Sequence, residues 1–142
     1  MRKMAMALMA VAAVSIGLAG CGDDDDDGNA GGTVDVTLSD FAIELSNSSV
    51  PAGEVTFDVE NEGPSVHEFV VFNTDLAADA LPTDATGDVA ESDEFAPVDE
   101  IEDIAKDARP KLTVDLAAGD YVLICNITAH YGQGMRTAFT VT

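Results

Sequence analysis

Cys125, His130 and Met135 lie five residues apart in the run from Tyr121 to Met135, and a lone His67 stands far upstream. Two imidazoles, a thiolate and a thioether suit a copper ion that changes oxidation state. The soft thiolate stabilises Cu(I), imidazole accepts both states, and a weak axial Met leaves the geometry short of the square arrangement preferred by Cu(II). Scarcity sharpens the pattern. Without residues 1–20 the chain keeps only His67 and His130, Cys21 and Cys125, and Met135 as its His, Cys and Met. Zinc would accept His67, Cys125 and His130 but takes a thioether poorly. A binuclear copper centre would need a second Cys in the loop, and Asn126 to Ala129 holds none. Two His are too few for a multicopper oxidase or nitrite reductase, and with both committed to metal no nucleophile–base pair remains, so the expectation is that this is not an enzyme.

The elements around these residues must bring one distant and three local side chains to a point. Cys125 closes an apolar strand pattern, Tyr121 to Cys125. Gly132 and Gly134 with Tyr131 favour a tight loop that folds Cys125, His130 and Met135 together. His67 begins a strand, Val66 to Phe72, after the Asn61-Glu62-Gly63-Pro64 turn. Further alternating segments run over 33–38, 41–45, 54–59, 111–116 and 137–141, with turn chemistry at 47–53 and 118–120. Such short strands with Gly, Pro and Asn between them predict an all-β sandwich. The stretch 73–110 breaks the rhythm with acidic residues and Pro82, Pro97 and Pro110. It reads as an acidic insertion across one edge of the sandwich. Val98, Ile101, Ile104/Ala105 and Ala108 give it an apolar stripe that predicts a short helix.

The first 20 residues have the form of a signal: Arg2 and Lys3, an apolar stretch from Met4 to Leu18, then small residues. That stretch is short and Ala-rich for a spanning helix. Leu18-Ala19-Gly20-Cys21 resembles a bacterial lipobox, which implies Cys21 as a lipidated first residue and attachment to the membrane by lipid anchor only. Residues 21–32, with five consecutive Asp, read as a flexible acidic tether. Its ten residues from Asp23 would hold the domain at 33–142 roughly 15–20 Å from the anchor. Cysteine usage agrees with export, because metal ligation accounts for an unpaired Cys125 where free thiols are otherwise damaged. The whole chain carries a net charge of −21, and without residues 1–20 four basic residues face 27 acidic ones. Such a polyanion will not bind nucleic acid or anionic lipid unaided. It suits either the steering of a basic partner or a surface adapted to high salt.

The loop Cys125-Asn126-Ile127-Thr128-Ala129-His130-Tyr131-Gly132-Gln133-Gly134-Met135, a C-x4-H-x4-M spacing of rusticyanin-like length, resembles the ligand loop of the cupredoxins, the small type 1 (blue) copper proteins. The resemblance spans about Thr33 to Thr142. It implies a Greek-key sandwich holding one copper per chain, with His67, Cys125 and His130 as equatorial ligands and Met135 as the axial one. It also implies a role that is not catalytic: extracytoplasmic transport of single electrons to a redox protein such as a cytochrome or oxidase, by a monomeric carrier. The port would be His130, flanked by Ala129, Tyr131, Gly132 and Pro64. Two positions depart from the family pattern. Thr128-Ala129 replaces a common Pro-Gly before the second His, and Glu68 replaces a common Asn after the first. Glu68 is expected to link the two ligand segments by accepting from Asn126 in the layer behind the metal. Two other readings remain at this stage: a copper storage or delivery module, and an adhesion sandwich that binds no metal.

Overall fold

The computed structural model describes residues 30–142. The signal at 1–20, Cys21 and the run of Asp residues lie outside them. Among the described residues nine strands form two sheets: β1 (Gly31–Ser39), β2 (Ala42–Leu45), β3 (Ser49–Val50), β4 (Gly53–Asn61), β5 (His67–Asn73), β6 (Asp99–Ile104), β7 (Lys111–Leu116), β8 (Gly119–Ile124) and β9 (Arg136–Val141). One sheet has the order β2-β1-β4-β7 and the other β3-β9-β8-β5-β6. Both are mixed, because β1 runs parallel to β4 and β3 parallel to β9. The fold is the all-β sandwich expected, and among the described residues it has no helix. No helix among them is long and apolar enough to cross a membrane.

Strand alternation builds the core directly. Val34, Val36, Leu38, Val55, Phe57 and Val59 face inward from the first sheet and meet Phe69, Val71, Leu123 and Phe139 from the second. Phe57 centres this layer, with ring centroids 5.2 Å from Phe69 and 5.4 Å from Phe139. Burial of this kind supplies the main driving force for folding. The first strand starts at Gly31, two residues before the segment the alternation marks. Gly31 holds φ at 94°, and a Cβ there would lie 2.1 Å from the Glu54 carbonyl oxygen, so only glycine lets β1 run this close to β4.

The insertion differs from expectation in two respects. Its predicted helix is the strand β6, which pairs antiparallel with β5. Between the pairs His67–Ile104 and Phe69–Ile101, β6 has one residue more than β5. Asp103, at φ 53°, turns that extra residue in the left-handed region. Such a bulge puts Ile101 and Ile104 on one face three residues apart, a spacing that imitates a helix. Secondly, the insertion supplies the edge strand β6 and also covers a sheet face. Leu81, Val89 and Phe95 pack over Val70, Phe72, Val122 and Ile124, on the outer side of the second sheet. Phe95 stacks on Phe72 with centroids 4.8 Å apart. Strand β5 is therefore buried on both faces, which accounts for its unbroken Phe69-Val70-Val71-Phe72 run.

Strand β6 is also the edge of its sheet, and Asp99, Glu100, Glu102 and Asp103 keep that edge charged. Charged edges discourage pairing with other chains. The charges also repel one another. Partial burial, then Glu91, Glu102 and Asp99, raise the Glu100 carboxyl above its ordinary 4.5. The folded state thus binds the Glu100 proton more tightly than the unfolded chain does. Stability from this group is full below pH 4.5 and is lost as pH rises through the folded value. Glu100→Gln should accordingly raise the unfolding midpoint at neutral pH, and the gain should shrink in high salt and vanish below pH 4.5. Thermal unfolding across pH measures this; an equal gain at every pH would contradict it.

Candidate metal centre

Three donor atoms meet at one end of the sandwich. Cys125 Sγ lies 3.4 Å from His130 Nδ1 and 3.9 Å from His67 Nδ1, and the two Nδ1 atoms are 3.3 Å apart. His67 and Cys125 are fully buried, while His130 is half-buried. Met135 is fully buried beside Cys125 in the same core. Its carbonyl accepts from Cys125 N–H at 3.0 Å, and its own N–H donates to the His130 carbonyl at 3.1 Å. The loop therefore closes on itself where β8 and β9 part. His67 arrives from the start of β5, beside β8, so the pairing of these strands sets its distance from Cys125.

The loop's backbone is strained at Ala129, one of the positions where the sequence departs from the common Pro-Gly. Ala129 holds φ at 69°, the left-handed region where glycine would rest without strain. Its N–H donates to Asp88 Oδ1 at 2.8 Å, so the insertion helps hold the turn. The same insertion grips the loop twice more. Asn126 Oδ1 accepts from Val89 N–H at 2.7 Å, and Asn126 Nδ2 donates to the Val89 carbonyl and to Glu91 Oε1, each at 3.1 Å. Tyr131 Oη donates to the Ala78 carbonyl at 2.8 Å and accepts from Leu81 N–H at 3.0 Å.

These bonds replace the link expected between Glu68 and Asn126, because the Asn126 amide is already engaged by the insertion. Glu68 acts through its backbone instead, donating its N–H to Cys125 Sγ at 3.3 Å. Tyr131 does not flank the imidazole either, since its ring is buried under the insertion. Phe41 takes that place, edge-on to His130 with centroids 5.4 Å apart and 39% exposed. Phe41 was unmarked in the sequence beyond opening a short strand.

Electrostatics favour neutral donors in the metal-free protein. Burial, then the neighbouring His130, lower the His67 pKa from its ordinary value, while Asp40 opposes both. Burial pushes the Cys125 thiol up, against the N–H donors of Glu68 and Ile127. A metal that takes Sγ as thiolate displaces that proton. His67 Nε2 is buried and lacks an aligned hydrogen-bond partner. Asp40 Oδ1 is 3.3 Å from it but off the line of the N–H. A ring with Nδ1 aimed at Sγ and its other nitrogen facing a carboxylate has the arrangement of a metal-bound histidine. With a buried thiol, two imidazoles and Met135, the donor set fits a type 1 copper site.

No protein-family model matches the chain, and no curated protein is similar to it in sequence. Solved structures are similar in fold. Auracyanin from Roseiflexus castenholzii superposes with a TM-score of 0.59 at 21% identity, over 78% of this chain and 96% of that one. Auracyanin A from Chloroflexus aurantiacus, a "blue" copper protein, gives 0.57 at 16% identity, over 79% and 99%. Rusticyanin from Thiobacillus ferrooxidans gives 0.52 at 19%, over 78% and 77%. The chain has the cupredoxin fold.

The insertion's grip on the loop is testable at Tyr131. Tyr131→Phe removes the partner of Leu81 N–H and of the Ala78 carbonyl while leaving the ring in place. Such a loss costs about 1–3 kcal/mol. Denaturant unfolding of the metal-free protein should show it, and an unchanged midpoint would mean the insertion does not depend on this bond.

Proposed function

We propose that this chain is an extracytoplasmic carrier of single electrons, working through one type 1 copper held by His67, Cys125, His130 and Met135. The observation that carries the reading is the convergence of Sγ and two Nδ1 atoms in a buried place, all within 4.8 Å of one another. Copper bound there supplies a Cu(II)/Cu(I) couple. The protein's part is rigidity. Cys125 and Met135 are tied by a backbone bond, His130 is tied to Met135, and His67 is fixed by the strand pairing. Donors held by such a framework move little between oxidation states, so little reorganisation opposes transfer.

His130, half-buried beside exposed Phe41, is the route by which electrons enter and leave. A partner that docks there meets a small apolar contact, as transient redox encounters do. The acidic body favours a partner with a basic face, such as a cytochrome or an oxidase. Leu18-Ala19-Gly20-Cys21 supports a lipid anchor at Cys21, with the acidic tether joining it to the domain and ending before β1 begins at Gly31. On this reading the chain works as a monomer and is a carrier rather than an enzyme.

Storage or delivery of copper is the competing function. Full burial of His67, Cys125 and Met135 argues against it, because a delivery site must release its ion readily. Voltammetry of the copper-loaded protein with a Cu(I) chelator present decides between them. A carrier shows a reversible one-electron wave and keeps its copper through repeated cycles. Loss of copper to the chelator at the first reduction would establish delivery instead.

A further inference from the structure

The two-residue turn between β1 and β2 touches both imidazoles of the site. Ser39 and Ala42 pair across it, leaving Asp40 and Phe41 at the tip. Phe41 holds φ at 68°, where a turn of this kind ordinarily places Gly or Asn. That backbone sets its ring against His130 on one side. On the other side Asp40 reaches His67, and there the chemistry is more specific.

The His67 ring is fully buried and its two nitrogens have opposite surroundings. Nδ1 faces Cys125 Sγ and His130 Nδ1. A neutral imidazole that offers the Nδ1 lone pair carries its proton on Nε2. Asp40 Oδ1 stands 3.3 Å from Nε2 but off the line of its N–H, and among the described residues this buried nitrogen has no aligned partner. Asp40 is in turn held by Ser65, whose N–H donates to Oδ1 at 3.3 Å and whose hydroxyl donates to Oδ2 at 3.1 Å. Gly63 lies over the contact. A Cβ there would fall 3.0 Å from Asp40 Oδ1 and 3.1 Å from His67 Nε2, so the chain packs this closely because the position has no side chain. Asn61, fully buried, shapes that loop. Its amide donates to the Ser65 and Ile104 carbonyls, both at 2.8 Å, and its Oδ1 accepts from Gly63 N–H at 3.0 Å.

We propose that Asp40 is a positioning residue of the metal centre: a small turn of its carboxylate lets it accept from His67 Nε2–H, which fixes the ring with Nδ1 toward Cys125. The proposal rests on the copper reading for its redox consequence, but the Asp40–His67 pair is a property of the protein itself. A carboxylate behind an imidazole makes the ring a stronger donor, and its negative charge favours the more highly charged ion. Both effects stabilise Cu(II) relative to Cu(I), so Asp40 lowers the reduction potential.

Asp40→Asn removes the charge and keeps the shape. Loss of such a supporting group weakens metal binding about 10–100-fold. The loss should fall mainly on Cu(II), and each tenfold change in the Cu(II)/Cu(I) affinity ratio raises the potential by 59 mV. Nitrogen-15 NMR of the metal-free protein is the companion measurement. Wild type should carry the His67 proton on Nε2, shifted downfield and slow to exchange with solvent. Asp40→Asn should move it upfield, and Asp40→Ala should let it exchange. A proton on Nδ1, or a potential and an Nε2–H shift unchanged in Asp40→Asn, would overturn the proposal. Failure of wild type to form a blue copper site would sink the copper reading, yet the NMR comparison would still decide whether Asp40 holds His67.

Discussion

Everything at the functional end of this molecule depends on keeping Cys125 Sγ and the Nδ1 atoms of His67 and His130 together in a buried place before any metal arrives. The arrangement is unfavourable for isolated side chains. Burying polar atoms without partners costs free energy, and three lone-pair donors aimed at one point give each other little in return. The sandwich overcomes this by fixing each donor through backbone it needs for other reasons. Strands β5 and β8 are paired along the core, so the separation of His67 and Cys125 follows from their register. The Cys125–Met135 backbone bond continues the pairing of β8 and β9 into the ligand loop.

Two segments outside the core strands complete that support. The insertion buries the outer face of the second sheet and bonds to Asn126, Ala129 and Tyr131, which bracket His130 in sequence. Opposite it, the Asp40-Phe41 turn meets both imidazoles. Strain collects here: Phe41 and Ala129, neither of them glycine, occupy the left-handed region next to the site. Such conformations persist where the surrounding structure over-determines them, and functional sites are where they gather. Packing energy from the sandwich is in this way converted into a fixed set of ligands.

Much of this was legible in the residues. Cys125, His130 and Met135 declared themselves because they share one loop, and His67 because the domain has no other His outside it. The strands showed through alternation. What escaped was long-range or geometric. The Ile101–Ile104 spacing suggested a helix because a bulge at Asp103 mimics its period. The unbroken apolar run from Phe69 to Phe72 was the available sign that the insertion covers a face, since a strand with one solvated side would alternate. Asp40 sits in a turn and Asn61 closes β4 before another, where such residues are ordinary; only the fold shows that Asp40 reaches His67 and that Asn61 shapes the loop beside it. Glu68 was assigned its side chain's role when its backbone N–H is what reaches Cys125.

The most direct test of the account is titration of the metal-free protein with Cu(II), followed by visible absorption and electron paramagnetic resonance. One copper per chain should produce an intense thiolate-to-copper charge-transfer band and the narrow hyperfine splitting of a type 1 centre, both absent in Cys125→Ser. Copper bound with only weak absorption and ordinary hyperfine splitting, unchanged by that substitution, would contradict the claim that these four residues form the site.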